Sequence, residues 1–541
     1  MLRGWEWPAR AMAEDTNRET ELKLAVRPED LGRLRGAPVL KERGKGKAVT
    51  RQLESTYFDT PDLRLARRRV TLRVRRQGAQ YIQTVKGAVA DDGGLSRDEW
   101  EWPVPGPAPD LSVITEPAAL QQLGTLAASD LEPVFASHIR RTVRILNGAS
   151  STIELAIDEG EIRTMAGAVQ PVAELELELM GDGDPADLFA VALELAKVAP
   201  LRVEVRTKAA RGYALASGEA DGPVKAEKLA LDPSVTVEGA LCRIVRSCLN
   251  HLAANEACSL KGADPEGIHQ MRVALRRLRS ALALFRPFVP PEQYDWLVGE
   301  VKWLGGHLGP ARDWDVFLTE LHAPVRDAFE KAGEHGAAQV GELHALEHAA
   351  EARRQRAYQG AREAILSARY GAFQLELTAW LEGRRWRGQP VNEQSARLFE
   401  PVDTLAGDLL AKRHRKARKA GKGFAALSVD DRHQLRIALK KLRYAAEFFR
   451  PLYADKAARR YIQQLAGFQD ALGHLNDVAT ATRLLRDLHD DGSPAAPGER
   501  RAAGIVIGWL ARGMVDAEPS LVAQWESFED AKPFWTGGVR R

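Results

Sequence analysis

Two periods divide the chain. From Glu19 to about Tyr213, polar and apolar positions alternate, the pattern of half-buried strands. ETELKLAV sets Glu19, Glu21 and Lys23 against Leu22 and Leu24; TLRVRR sets Arg73 and Arg75 against Leu72 and Val74. ELELELM sets Glu174, Glu176 and Glu178 against Leu175, Leu177 and Leu179, and LRVEVRTK puts Arg202, Glu204, Arg206 and Lys208 on one side. Several polar faces carry one sign only, which gains nothing in water and repels within a strand. Turned inward, the same residues would line a charged tunnel whose apolar outer face needs helical cover, and PADLFAVALELAKVAP predicts one such helix. An antiparallel sheet with one wet face is the alternative.

SGEADGPVKAEKLALDP, residues 217–233, is small, polar and broken by Gly and Pro, and reads as a linker. Beyond it the period is helical. That region is duplicated: His433 follows His269 by 164 residues, and Leu308 and Leu472, Asp313 and Asp477, and the Arg286-Pro287 and Arg450-Pro451 pairs keep the same offset. The expected organisation is a leader over 1–13, a strand-rich domain over 14–216, the linker, and a helical domain over 234–535 with repeats at about 234–385 and 398–535. The fold class is α+β followed by an all-α bundle.

The strongest chemical signal lies in the repeat. HQMRVALRRLR returns as HQLRIALKKLR. At 100° per residue His269, Arg272, Arg276 and Arg279 form one stripe, and Met271, Ala274, Leu275, Leu278, Leu282 and Phe285 the opposite face. His433, Arg436, Lys440 and Arg443 form the equivalent stripe, with Arg277 and Lys441 at the flanks. Like charges at i,i+4 cost ~0.2–0.5 kcal/mol per pair, and neither segment holds a carboxylate to offset them. Each helix should therefore pack by one face and offer the other to a polyanion, with histidine as a donor that can charge near neutral pH. KRHRKARKAGK, residues 412–422, immediately precedes the second copy and could extend that surface.

Bulk composition changes little. The net charge is only +3, so local distribution matters more than the sum. Three cysteines, an odd number with no CxxC pair, point to a reducing compartment and no thiolate metal site. The chain has no stretch of ~18 apolar residues and its N-terminus has no signal-peptide core, so a cytoplasmic protein with no membrane partner is expected. Nucleic acid is disfavoured as a ligand, because no zinc-finger, RRM or KH signature is present and no aromatics interleave with the basic stripe.

Two resemblances unite these features. ETELK, followed in order by STYFDTPD, LRVRR, QTVKG, DEWEW, IRRTVR, LAIDEG, AELELEL and TKAARGY, resembles the CYTH domain of the triphosphate tunnel metalloenzymes over about residues 14–216. HQMRVALRRLR with LGPARDWDVF, and HQLRIALKKLR with LGHLND, resemble the CHAD domain over about 235–534. The order is similar to that of bacterial short-chain inorganic triphosphatases. The first resemblance implies an eight-stranded antiparallel β tunnel that hydrolyses inorganic triphosphate with Mg2+ or Mn2+. It places the metal at Glu19 and Glu21, with Asp158, Glu174, Glu176 and Glu178 as further ligands, and phosphoryl clamps at Lys23, Arg73, Arg75, Lys86, Arg140 and Lys208. Arg144, which shares Arg140's parity, is a further clamp candidate, and Glu99, Glu101 or Glu176 could orient water. The family's last strand often reads Ser-Lys where this chain has Thr207-Lys208, which keeps the hydroxyl. The second resemblance implies that the two cationic stripes bind inorganic polyphosphate, with association to polyphosphate granules. Thiamine triphosphatase or adenylyl cyclase activity, or a non-catalytic polyphosphate-binding role, are the open alternatives.

Overall fold

The computed structural model describes residues 18–89, 96–181, 183–218, 222–390, 392–488 and 496–537. The expected leader lies outside them. Contacts divide the chain into two compact units, Met1–Ala220 with Gln374–Gly383, and Asp221–Phe373 with Arg384–Arg541.

The first unit is built on one antiparallel sheet: β1 (Arg18–Ala25), β2 (Gly44–Asp59), β3 (Thr71–Gln77), β4 (Gln80–Val89), β5 (Ser96–Val104), β6 (Glu132–Asn147), β7 (Thr152–Thr164), β8 (Val169–Leu179) and β9 (Arg202–Val203). The strand order is β5-β4-β3-β2-β6-β7-β8-β1-β9. β1 divides its length between two partners. Arg18, Glu19 and Thr20 face Asp98, Arg97 and Ser96 of β5, while Glu21 to Ala25 face Glu178 to Glu174 of β8. The sheet thus has nine strands where eight were expected, because the last one is only a two-residue addition to β1.

Strand alternation decides what each face does. Leu22, Leu24, Leu155, Leu175 and Leu177 are buried with Leu188, Phe189, Val191, Ala192 and Leu195 of α1 (Pro185–Ala196), the predicted cover helix. Leu72, Val74, Val85, Trp100 and Trp102 form a second outer cluster with Ala119 and Leu123. Each large side chain so buried contributes roughly 1.5–3 kcal/mol, which fixes the register and turns the charged residues to the other, inner face. The expected strand LRVEVRTK stops after Val203. Thr207 instead accepts from the Ala210 amide at 3.0 Å and caps α2 (Lys208–Ala216), so Lys208 opens a helix.

In the second unit the described helices include α3 (Val237–Ala254), α4 (Glu266–Phe285), α5 (Pro291–Val316), α6 (Ala337–Leu366), α7 (Asp403–Gly421), α8 (Val429–Phe449), α9 (Asp455–Asp487) and α10 (Pro497–Asp530). A shift of 164 residues carries α3–α6 onto α7–α10 with ends differing by a few residues, so the duplication is structural. Met271, Ala274, Leu275, Leu278, Leu282 and Phe285 of α4 are all buried, as their stripe requires. α4 packs against both α5 and α8, which brings the two copies of the cationic helix together. Among the described residues no helix is long and apolar enough to cross a membrane.

Candidate functional site

The inner face of the sheet gathers charge from paired strands and from α2. Lys208 Nζ lies 2.7 Å from Asp158 Oδ2 and 2.8 Å from Glu176 Oε1, and also pairs with Glu174. Arg141 grips both Asp158 oxygens at 2.8 and 2.7 Å and reaches Glu176 on β8, while Arg211 pairs with Glu174. Asp158, Glu174 and Glu176 offer oxygens within 4.8 Å of one another, an all-oxygen donor set suited to a hard divalent cation. Burial pushes Glu176 up, but Arg141, Lys208 and Lys23 outweigh it and hold the carboxyl well below its ordinary range. This trio is therefore already neutralised by three cations.

A second group is less balanced. Lys86 Nζ bridges Glu19 at 2.8 Å and Glu99 at 3.0 Å, Lys23 pairs with Glu21, and Arg73 approaches Glu99 at 3.4 Å and Glu101 at 3.7 Å. Glu178 shares this neighbourhood: burial, then Glu19 and Glu21, push its carboxyl up to about 8. Glu178 lies opposite Glu21 across the β1–β8 pair, so Glu19, Glu21 and Glu178 form a second carboxylate group that a cation would relieve of its repulsion.

Three guanidiniums face one another as well. Burial, then Arg73 and Arg141, push Arg75 down to about 10, and its Nε donates to Ser55 Oγ at 3.3 Å. Tyr57 stands among them. Burial raises its phenol, but Arg73, Arg75 and Lys208 prevail and hold it below its ordinary value. Its ring stacks on Phe135 at 4.4 Å, and with Leu53, Ile139, Ile162, Val172 and Ala209 of α2 these rings close the charged region with an apolar cluster.

Of the residues named from sequence, Glu19, Glu21, Lys23, Arg73, Arg75, Lys86, Asp158, Glu174, Glu176, Glu178 and Lys208 all meet on this face, together with Glu99 and Glu101. Arg140 does not. Its side chain is half exposed and pairs with Glu159 at 2.6 Å, which Arg35 also contacts at 2.6 Å. β6 presents odd-numbered residues inward, so Arg141, opposite Asp158, occupies the place expected for Arg140, and Arg144 donates outward to the Leu40 carbonyl. Sequence reasoning also missed Arg211. It lies one helical turn after Lys208, a spacing hidden while that segment was read as a strand.

In the helical unit Arg276 of α4 lies near Arg436 and Lys440 of α8. Burial, then Arg436 and Arg276, push the Lys440 ammonium down to about 7. Arg272 and Arg436 are both held down by burial, partly offset by Asp313 and Asp477, so the duplicated LGPARD and LGHLND segments repeat the same pairing. The buried Nε atoms of Arg276, Arg436 and Arg443 have no hydrogen-bond partner. Cations crowded together with unused donors leave room for an anion to supply the missing acceptors. His269 is pushed down to about 4 by burial and Arg312, so it is neutral at pH 7, contrary to the charge switch expected of it. His433 and Arg279 are exposed, and Arg279 stands with Lys441 rather than with the buried group.

Comparison with known proteins identifies the two regions as domains. Residues 17–213 match the CYTH domain and residues 243–486 the CHAD domain. The Haemophilus influenzae inorganic triphosphatase is 31% identical over 204 residues, 37% of this chain; the chain spans about 55% of that curated relative's length. An uncharacterized Mycobacterium tuberculosis protein is 26% identical over 472 residues, covering 81% of this chain and 83% of that one. The crystal structure of the CHAD domain from Ricinus communis is 31% identical with a TM-score of 0.49, covering 59% of this chain and 99% of that one. The chain therefore carries a CYTH domain and, after it, a CHAD domain.

Proposed function

We propose that the CYTH domain hydrolyses inorganic triphosphate to pyrophosphate and phosphate with Mg2+ or Mn2+, and that the CHAD domain binds inorganic polyphosphate. The observation that carries the first part is the inner face on which Arg73, Arg75, Arg141, Lys86 and Lys208 converge. A linear triphosphate is dense in charge, which matches this density of cations. Arg73, Arg75 and Arg141 offset the charge of the phosphoryl oxygens so that water can approach phosphorus. Lys86 and Lys208 exchange carboxylate partners for substrate oxygens. Glu99 and Glu176, both held ionised, orient the attacking water as acceptors. One P–O bond forms to that water while a bridging P–O bond breaks. Glu19, Glu21 and Glu178 would hold the divalent cation, which when bound neutralises phosphoryl charge.

For the CHAD domain, the Arg276–Arg436–Lys440 cluster and its unused Nε donors support polyphosphate as ligand. The division of the chain at Ala220 supports a boundary within 217–233 between domains over 14–216 and 234–535, while Gln374–Gly383, within the second range, group with the first unit. Three buried cysteines suit the cytoplasm, where the protein would act at polyphosphate granules. The test is phosphate release from inorganic triphosphate, thiamine triphosphate and ATP, with Mg2+ or Mn2+ and with EDTA, on wild type and Glu21→Ala. Release from triphosphate alone is expected, abolished by EDTA and reduced at least 100-fold in the variant, since losing one charged contact at phosphoryl transfer costs about 3 kcal/mol. Release from thiamine triphosphate or ATP at an equal rate would overturn the substrate assignment.

A further inference from the structure

Four cations outside the buried cluster meet where α4, α7 and α8 pack together. α8 packs against both α7 and α4, which places Lys441 of α8 in the field of Arg413 and Lys416 on α7 and Arg279 on α4. Partial burial and these like charges hold its ammonium below the ordinary value. Arg413 is half-buried, and burial lowers it too; its Nη2 donates to the Ala283 carbonyl of α4 at 2.9 Å, which fixes α7 against α4 at this point. Arg279, Lys416 and Lys441 are exposed. Among the described residues none of the four forms an ion pair. Three helices thus press four positive charges together with no carboxylate between them, an arrangement that repels itself until an anion joins it.

The duplication shows that this is not a by-product of the repeat. Lys441 is the counterpart of Arg277, 164 residues earlier, and Arg277 is a buried residue with its guanidinium 5.5 Å from the Phe448 ring. The first copy uses the position for packing, and the second turns it to the surface beside Arg413 and Lys416. The new group is also continuous with the buried one. On α4 Arg276 of the buried group and Arg279 of the new one are neighbours at i,i+3.

We propose that Arg279, Arg413, Lys416 and Lys441 form a second phosphate-binding site, which takes the phosphoryl groups of an inorganic polyphosphate chain running outward from the Arg276–Arg436–Lys440 cluster. The inference rests on the polyphosphate reading above and adds a consequence to it: a triphosphate fills one group, whereas a long chain spans both, so the CHAD domain selects for length.

The experiment titrates the full-length protein with fluorescently labelled long-chain polyphosphate at several salt concentrations, with unlabelled tripolyphosphate as competitor. The variants are Lys416→Ala/Lys441→Ala and Lys416→Arg/Lys441→Arg, which leave the buried cluster and the CYTH domain intact. The alanine pair should bind the long chain about tenfold more weakly, with the slope of log K against log salt reduced by about one to two, as loss of two phosphate contacts requires. Tripolyphosphate affinity and triphosphate hydrolysis should stay at wild-type values, and the arginine pair should restore both affinity and slope. Wild-type affinity and slope in the alanine pair would overturn the second site and leave the polyphosphate reading standing. So would a loss that the arginine pair does not restore. Absence of polyphosphate binding by wild type would overturn both.

Discussion

Adjacent side chains can have opposite fates, and Arg140 and Arg141 show it. Arg140 shares Glu159 with Arg35 on the outer face, whereas Arg141 spans Asp158 and Glu176 on the inner one. Arg141→Ala should lower triphosphate hydrolysis about 100-fold, by removing a phosphoryl clamp and leaving two carboxylates to repel the substrate. Arg140→Ala should stay within about twofold of wild type, because an exposed pair contributes roughly 0–1 kcal/mol and touches no reacting group. Steady-state phosphate release on the two variants decides which arginine works. In the helical unit, Lys440 makes the corresponding case for proton linkage. Burial, Arg436 and Arg276 lower its ammonium to about 7, from an ordinary value of about 10.4. A depressed value means that its contribution to stability is full above the unfolded value and is lost as pH falls through about 7. A bound polyanion reverses the preference and recharges the amine. Polyphosphate binding at pH 8 should therefore take up close to one proton, and at pH 6 almost none. Calorimetry in two buffers of different ionisation enthalpy measures the uptake, and Lys440→Arg, which stays charged, should abolish it.

Whole elements carry constraints that single residues do not. α2 supplies Lys208 and Arg211 from consecutive turns, and its position depends on Gly212: a Cβ there would stand 2.2 Å from the Phe135 ring. Gly212→Leu should displace the helix, cost about 1–3 kcal/mol in urea unfolding and lower hydrolysis by drawing both cations away from Glu174. Gly212→Ala should show the same effects in smaller measure. The sequence concealed this element, because LRVEVRTK alternates like a strand while the Thr207 hydroxyl caps a helix instead, a local hydrogen bond that periodicity does not register. IRRTVR concealed Arg141 for another reason: two adjacent arginines offer either parity, and only pairing with β7 chooses. By contrast, the strands bearing Glu19, Glu21 and Lys23, or Glu174, Glu176 and Glu178, were legible because one face is uniformly apolar and must be buried. The two cationic helices were legible because their 3.6-residue stripe runs over about three turns and occurs twice. What the stripe could not show was its division. Arg276 joins Arg436 and Lys440, while Arg279 joins Lys441.

Across the whole molecule a net charge of +3 conceals two separate fields, one with carboxylates and cations interleaved, the other cationic with few acids. The difference assigns the ligands. A divalent cation and triphosphate together satisfy both signs on the inner face of the sheet, whereas the helical cluster has unused donors and calls for an anion alone. Hydrogen–deuterium exchange on the intact protein separates the two. Triphosphate with Mg2+, on a Glu176→Gln background to slow turnover, should protect β1, β7 and β8, and long-chain polyphosphate should protect α4, α7 and α8. A ligand present at about 100 times its Kd stabilises by about 2.7 kcal/mol, so core amides of the domain that binds it should exchange about 100-fold more slowly. Sodium chloride should weaken the polyphosphate effect most, because several cations give up their counterions to one chain. Protection of the strands rather than the helices by long-chain polyphosphate would instead make the sheet the polyphosphate site and leave the duplicated helices without a ligand.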